Sequence, residues 1–131
     1  MTEPGALLGE WQLFRRVVDR RAGLGGTVRG TLSIEDEGPR LRWRERGTLR
    51  WDGADLPVTR ELLLQRDAAG WEVRFADGRP FHRWAPGEVV HHPCRADLYR
   101  GFVDATPTRL RVLWDVTGPA KDQRILTRCS R

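Results

Sequence analysis

The sequence is poor in cysteine and lysine and has no long apolar run. Its two cysteines, Cys94 and Cys129, are too few for a disulfide scaffold, so we expect reduced thiols. Its longest uncharged apolar runs are only about as long as Leu62 to Leu64, too short for a membrane-spanning helix, so we expect no membrane partner. Met1 to Arg16 lacks the basic region and apolar core of a signal peptide. These absences predict a cytoplasmic protein.

The composition is that of one globular domain covering residues 1–131. Hydrophobic residues make up 39% of the chain and charged residues 31%, which allows a core beneath a well-solvated surface. The net charge is +5, and Lys121 is the single lysine beside many arginines. Because the arginines are spread along the whole chain, we favour codon bias in a GC-rich genome over selection for one anion site.

Alternation with a period of two dominates the pattern. From Arg40 to Trp51 the even positions are mostly arginine and the odd positions mostly apolar, with Glu45 as the misfit. Such a segment is typical of an antiparallel strand with one buried face. The same alternation recurs around residues 27–34, 58–65, 71–77 and 110–117, and Gly, Pro and Asp turns separate these segments.

This pattern predicts an all-β fold of eight to ten strands. Closure removes exposed sheet edges, and the short turns suit neighbours in sequence, so we expect a single antiparallel up-and-down β-barrel. A short helical cap over Pro4 to Leu8 precedes the first strand in this interpretation. A barrel of roughly eight strands is wide enough for a filled core or for one small ligand.

The motif Gly9-x-Trp11 near the start resembles the lipocalin signature. The resemblance implies that Trp11 closes the barrel floor and that an arginine near the C-terminus, Arg128 or Arg131, packs across it. A longer series resembles the bacterial domain-of-unknown-function family six-three-one-four, whose members are expected to be small lipocalin-like (calycin-type) barrels without an established activity. The matching segments are Asp77-Gly78-Arg79-x-Phe81-His82, His92-x-Cys94-x-x-Asp97-x-Tyr99-x-Gly101, Gly118-Pro119-x-Lys121-Asp122, Trp114 and Arg131.

Three charged residues fall on the inward parity of their strands, namely Glu45, Arg60 and Asp77. Because an unpaired buried charge is costly, these groups must pair or face water in a cavity. One interpretation is an ion-pair network that fixes strand register, and the other is a polar anchor in an apolar pocket. Asp77 also stands beside a turn, where it could simply cap the backbone.

The segment from Val89 to Gly101 supplies a second group of candidates. Strict alternation points His92 and Cys94 inward, and a bulge after Cys94 would bring Asp97 and Tyr99 inward in place of Ala96 and Leu98. His-x-Cys lacks a second pair at metal-binding spacing, so we predict no metal. We predict no cofactor either, and we rank a haem on His92 or His82 below an ordinary hydrogen-bonded histidine.

The sequence therefore predicts a barrel that binds a small apolar or amphipathic ligand, with a carboxylate suited to Arg60. Trp43, Trp71, Phe75 and Trp114 would form apolar walls, and Glu45, Arg60, His92 and Tyr99 would orient the polar end. Nucleic acid is not expected, because Trp43 lies on the face opposite the Arg40–Arg46 row. Two alternatives stay open: a small-barrel isomerase or hydrolase using His92 and Tyr99, and a filled barrel that serves as an oligomerisation or partner-binding module. A homodimer is compatible with either.

Overall fold

Ten antiparallel strands make up nearly all of the computed structural model, which describes residues 2–131. A turn of 3-10 helix, Pro4–Leu7, precedes the first strand. The strands are β1 Gly9–Asp19, β2 Leu24–Asp36, β3 Arg40–Trp51, β4 Ala54–Asp67, β5 Gly70–Phe75, β6 Pro80–Arg83, β7 Val89–Cys94, β8 Asp97–Ala105, β9 Arg109–Gly118 and β10 Lys121–Ser130. No helix within the described residues is long and apolar enough to cross a membrane.

The strands form one sheet that curls into a nearly closed barrel. Its order is β6-β5-β4-β3-β2-β1-β10-β9-β8-β7, so neighbours in sequence are neighbours in space and β1 pairs with β10. β6 and β7 meet at a seam without a hydrogen-bonded ladder. The predicted all-β, up-and-down barrel with a short helical cap is confirmed, at the upper end of the expected strand count.

Facing glycines let β2 and β3 approach closely where the wall curves. Gly30 pairs with Gly47 across the two strands. A Cβ on Gly30 would collide with the backbone of Arg46, and one on Gly47 would lie 2.6 Å from the Arg29 carbonyl oxygen. Because any side chain there would push the strands apart, the sequence uses glycine at both positions.

One end of the barrel is closed by the N-terminal turn and the chain end. Trp11 is 1% exposed, and its indole N–H donates to the Leu7 carbonyl over 2.9 Å. The Arg131 guanidinium lies 4.1 Å from the Trp11 ring centroid and donates to the carbonyls of Ala6 and Pro107. Of the two arginines that the lipocalin resemblance offered for this position, the structure uses Arg131.

The opposite end of the barrel is its mouth. The β1–β2, β3–β4 and β7–β8 turns all lie at this end, together with the start of β10, because β1 runs away from the floor and its neighbours alternate in direction. Leu56 near the start of β4 is 51% exposed there. The apolar faces of all strands meet inside, so any functional group within the barrel is reached from this end or through the seam.

Candidate functional site

A charged cluster lies in the middle of the barrel interior, centred on Glu45 of β3. Its side chain is 5% exposed and is held by three donors. Arg15 Nη2 donates to Oε1 over 2.8 Å, and the Trp43 indole N–H donates to Oε2 over 2.8 Å. Arg60 Nη2 donates to Oε2 over 3.2 Å. The contact between Glu45 and Arg60 is compatible with both predicted roles, an ion-pair network that fixes strand register and a polar anchor in a pocket.

Arg15 of β1 is the member of this cluster that the sequence analysis missed. It pairs with Thr127 across β1 and β10, and its Nε donates to the Thr127 hydroxyl over 2.7 Å. Its side chain is 13% exposed. The signal was present in the sequence, because Arg15 shares the odd parity of Trp11 and Leu13, which are both buried.

The cluster keeps its carboxylate ionised. Burial alone would raise the pKa of Glu45, but the charges of Arg60 and Arg15 and the indole hydrogen bond lower it below its ordinary value. With two guanidinium groups around one carboxylate, the cluster carries one excess positive charge. An interior with a net positive charge attracts an anion, provided that the anion can reach it.

Arg60 is the member of the cluster that an anion could reach. Its side chain points inward yet is 41% exposed, in contrast to the 5% of its partner Glu45. One guanidinium nitrogen, Nη2, is engaged by Glu45. A guanidinium presents five N–H donors, and among the described residues only Glu45 accepts a hydrogen bond from it, so donors remain for a ligand.

An open cavity of about 230 Å³ lies on one side of this cluster. Its walls are mainly aliphatic, and its polar lining consists of the cluster residues Arg15, Glu45 and Arg60 together with Arg46 and Thr59. The aliphatic members come from four neighbouring strands: Leu13, Val17, Val28, Leu49 and Val58. The predicted ligand site was lined by tryptophan and phenylalanine, whereas this larger cavity is lined by leucine and valine.

The aromatic residues fill most of the space on the other side of Arg60. Phe81 stacks on Trp114 with ring centroids 5.0 Å apart and on Phe75 at 4.5 Å. The gap that remains among Trp43, Arg60, Trp114 and their neighbours is about 20 Å³, room for a single water molecule. The tryptophan-rich half is therefore nearly filled.

The histidines belong to this aromatic cluster. The His82 Nδ1–H donates to the Arg83 carbonyl over 2.7 Å, and burial lowers the pKa of His82 below its ordinary value. His92 packs edge-on against Phe75, with ring centroids 5.6 Å apart, and against Tyr99 at 6.0 Å. The gap that His82 lines is far smaller than a haem, and the described residues contain no group of three or more side chains arranged to hold a metal.

Tyr99 faces the interior because of the β7–β8 hairpin. His92 pairs directly with Tyr99, and Cys94 pairs with Asp97 around a tight turn in which Arg95 adopts a φ of 59°. Residues directly opposite each other in an antiparallel pair point to the same face of the sheet, so His92 and Tyr99 share one face. Alternation counted straight through the turn does not give this result, and no bulge is needed for it.

Two of the predicted site residues do not lie in the interior, and the first is Asp77. It lies two residues beyond the end of β5, is exposed, and accepts a hydrogen bond from the backbone N–H of Arg79 over 3.0 Å. Its carboxylate also pairs with the Arg79 side chain at 2.7 Å. The inward prediction was wrong because the strand ends at Phe75, and the turn-capping alternative describes this residue.

The second correction concerns Cys94, which is exposed at the tip of the β7–β8 hairpin. It shares the face of His92, but it is the last residue of β7, a strand whose other side is the seam without a hydrogen-bonded neighbour. Parity predicts which way a side chain points, not whether other strands cover it there. Cys94 therefore contributes nothing to the cavity.

Trp71 and Phe75 contact the core without lining the larger cavity. Both are half-buried and pack against the buried cluster. The Trp71 indole nitrogen is buried without a hydrogen-bond partner among the described residues, which is uncommon for this side chain. Of the predicted walls, Trp43 and Trp114 line the small gap beside Arg60.

Comparison with known proteins supports the fold and places the chain in a family. A search of curated proteins finds no match. Among solved structures, the S-type phycobiliprotein lyase CPES from Guillardia theta has a TM-score of 0.71 at 14% sequence identity, covering 98% of this chain and 89% of that one. That likeness shows a shared lipocalin-like barrel. A family model described as "Family of unknown function (DUF6314)" matches residues 7–131, and this chain belongs to that family.

Proposed function

We propose that the barrel binds a small amphipathic molecule with an anionic end, of which a carboxylate is the simplest. The observation that carries the proposal is the Arg60 side chain inside the barrel, which is 41% exposed and is bonded to Glu45 through one nitrogen. The anionic end would accept hydrogen bonds from the free donors of Arg60. The apolar part would lie against Leu49, Val58 and Val17.

The dimensions of the cavity favour a small ligand. Its volume of about 230 Å³ lies below the ~300–1,000 Å³ range of sites for drug-sized molecules. Burying a short aliphatic tail contributes about 0.8 kcal/mol per methylene group. A tail of a few carbons with one anionic head suits both the space and its lining.

The charge of the cluster favours an anion over a neutral or cationic head. Glu45 forms ion pairs with both Arg15 and Arg60, which stabilises the cluster without a ligand. One positive charge of the cluster is then left without a negative partner. A carboxylate that accepts two N–H bonds from Arg60 would make the charge-assisted, bidentate contact that guanidinium forms best. A cationic head would be repelled by the positive charges of both Arg60 and Arg15.

The two alternative functions receive less support. His92 is surrounded by the rings of Phe75, Phe81 and Tyr99, which offer no carboxylate to orient it as a catalytic base. A filled barrel describes the aromatic half but not the open aliphatic half. The structural neighbour is by its title a phycobiliprotein lyase, and at 14% identity we transfer none of that activity. The two free thiols fit a reducing compartment such as the cytoplasm.

Isothermal titration of butyrate, hexanoate and octanoate, each beside the alcohol of equal chain length, tests the proposal. The wild-type protein should bind a carboxylate more tightly than its matched alcohol. Arg60→Gln should lose about tenfold or more of the carboxylate affinity, since a hydrogen bond to a charged group contributes about 1.5–3 kcal/mol. Alcohol binding should change little.

Arg100→Gln is the matched control, because Arg100 is exposed on the outward face of β8 and carries the same charge. This variant should bind carboxylates as the wild type does. Equal losses in the two variants would assign the effect to net charge and refute a site at Arg60. Carboxylates and alcohols of equal affinity would do the same.

A further inference from the structure

The outer wall of the barrel carries a row of apolar side chains that nothing in the interior requires. Val89, Phe102, Leu113 and Leu126 point outward from β7, β8, β9 and β10, and each stands directly opposite the next. Val89 is 46% exposed, and the other three are half-buried. Outward positions of an antiparallel sheet that faces water are normally polar, so this row, which we call the apolar row, is unusual.

Arginines border the apolar row on both sides. Together with Arg16, which continues the row on β1, the two flanking rows contain six arginines and two aspartates. These are Arg16, Arg29, Arg100, Arg111, Arg124 and Arg128, with Asp104 and Asp115. Since the whole chain has a net charge of +5, most of its excess positive charge surrounds this one row.

Several of these arginines are free to meet a partner. Arg111 pairs with Asp104 at 3.3 Å, and Arg124 lies 3.9 Å from Asp115. Arg16, Arg100 and Arg128 have no carboxylate within 4.0 Å among residues 2–131. A desolvated interface would leave their charges without compensation unless the partner supplies acids.

The outer face of β3 to β6 has a different character. There Arg42 pairs with Glu37 at 2.7 Å and Arg44 with Glu61 at 2.8 Å. Arg74 and Arg83 likewise pair with Glu72 and Asp67. Most arginines of this face are thus paired, and among the described residues Arg46 and Arg50 of β3 are outward arginines without a carboxylate within 4.0 Å. The two sides of the wall therefore differ in the share of their arginines that are paired.

We infer that the apolar row and its arginines form a docking surface for an acidic, amphipathic segment of another protein. The row crosses four strands, about 14 Å at ~4.8 Å per strand, which suits a short segment better than a standard domain interface of about 800 Å² per partner. A concave groove of about 290 Å³ lined by Phe14, Arg16, Leu126 and Arg128 lies at one end of the row. It would receive one apolar anchor residue of the segment, with acidic neighbours on the arginines.

Other occupants fit this surface less well. A second copy of the chain in a two-fold dimer would set the same arginines against each other. A flat bilayer would touch the convex barrel wall along a narrow strip. Single-stranded nucleic acid stacks successive bases on several aromatic rings. On this surface the Phe14 ring is covered by Arg29, whose guanidinium lies 4.7 Å from its centroid, which leaves Phe102 as a single half-buried ring.

Fluorescence anisotropy with synthetic peptides tests the inference on the intact chain. The probe is a labelled peptide rich in Glu, Asp, Leu and Phe, beside an analogue with Ser in place of Leu and Phe and another with Lys in place of the acids. The acidic amphipathic peptide should bind most tightly, and its affinity should fall as salt screens the arginines beyond the ~8 Å Debye length. Leu126→Ser and Arg16→Glu should each weaken it about tenfold or more.

Arg66→Glu is the matched control, because it makes the same charge change at an exposed position near the end of β4, three strands away from β1. It should leave peptide affinity near that of the wild type, and unchanged circular dichroism would show that all variants are folded. Equal binding of the Ser analogue, or equal losses in Arg16→Glu and Arg66→Glu, would overturn the inference. So would binding to phosphatidylglycerol vesicles in place of the peptide, or a dimer in sedimentation that Leu126→Ser dissociates. None of these outcomes depends on the ligand proposed for the interior.

Discussion

Glu45 and Arg60 stand directly opposite each other on β3 and β4, with Arg60 Nη2 3.2 Å from Glu45 Oε2. The two partners differ in accessibility, because the Glu45 side chain is 5% exposed and that of Arg60 is 41% exposed. Glu45 therefore acts as the fixed acceptor of the cluster, and Arg60 is the member that can also turn donors toward the cavity. Glu45 thus has a structural role, and Arg60 is the residue that we propose binds the ligand.

Replacing Glu45 should destabilise the protein. Glu45→Gln removes the charge that compensates Arg15 and Arg60, and breaking a buried ion pair by removing one partner costs about 3 kcal/mol. Urea denaturation measures the loss. Glu61→Gln is the control, since Glu61 also contacts two arginines but lies on the outer face. A loss in Glu61→Gln as large as in Glu45→Gln would contradict a buried, strongly coupled cluster.

Mild acid should weaken the fold through His82. Its folded pKa lies below the ordinary 6.5 because it is buried, so the unfolded chain takes up a proton first as pH falls. Stability should be full above about pH 6.5 and should fall below it by at most about 1.4 kcal/mol per pH unit, until the folded pKa is reached. Urea denaturation at about pH 7.5 and about pH 5.5 measures this difference.

His82→Gln should remove that part of the pH dependence, because glutamine does not titrate. His91→Gln, at an exposed outward position of β7, controls for the loss of a histidine. A His82→Gln variant with the same pH dependence as the His91→Gln variant would show that His82 is not the responsible group.

The two cysteines should differ sharply in reactivity. Burial raises the pKa of the Cys129 thiol to about 12, with the Glu45 charge adding to the effect, whereas Cys94 is exposed. Since the thiolate is the reactive form, Ellman's reagent at about pH 8 should modify one thiol in the native protein and two in urea. Fast reaction of native Cys94→Ser would contradict the burial of Cys129.

Adding one methyl group at Gly101 should disturb the aromatic half of the barrel. A Cβ there would collide with the Trp114 ring, which stacks on Phe81. Gly101→Ala should cost about 1–3 kcal/mol through overpacking and should change the near-ultraviolet circular dichroism of the tryptophans. Gly5→Ala is the control, because no atom lies within 4 Å of a Cβ at that position. Identical spectra and stability in the two variants would refute the close packing.

Much of the fold could be predicted from alternation, and less of the site. Parity pointed Glu45 and Arg60 inward because β3 and β4 run uninterrupted through the wall. The same rule failed for Asp77, which lies beyond the end of β5, and for Cys94, the last residue of β7 beside the seam. Arg15 shared the parity of buried residues and could have been included.

The position of the cavity could not be read from parity. Whether inward side chains meet in the middle depends on their sizes across the barrel and on strand curvature, which sequence neighbours do not encode. In the open half, Gly47, which faces Gly30, lines the cavity together with valine and leucine side chains, which are smaller than aromatic rings. Stacked Phe75, Phe81 and Trp114 fill the other half. The tryptophans that suggested a ligand pocket instead occupy the space.

The most direct measurement of the central claim is a crystal structure of the protein with the carboxylate that titrates most tightly. The account predicts carboxylate oxygens within hydrogen-bonding distance of the Arg60 donors that Glu45 does not use. It also predicts the aliphatic tail between Leu49 and Val58. A ligand bound elsewhere on the molecule, or an interior that stays empty at saturating ligand, would contradict it.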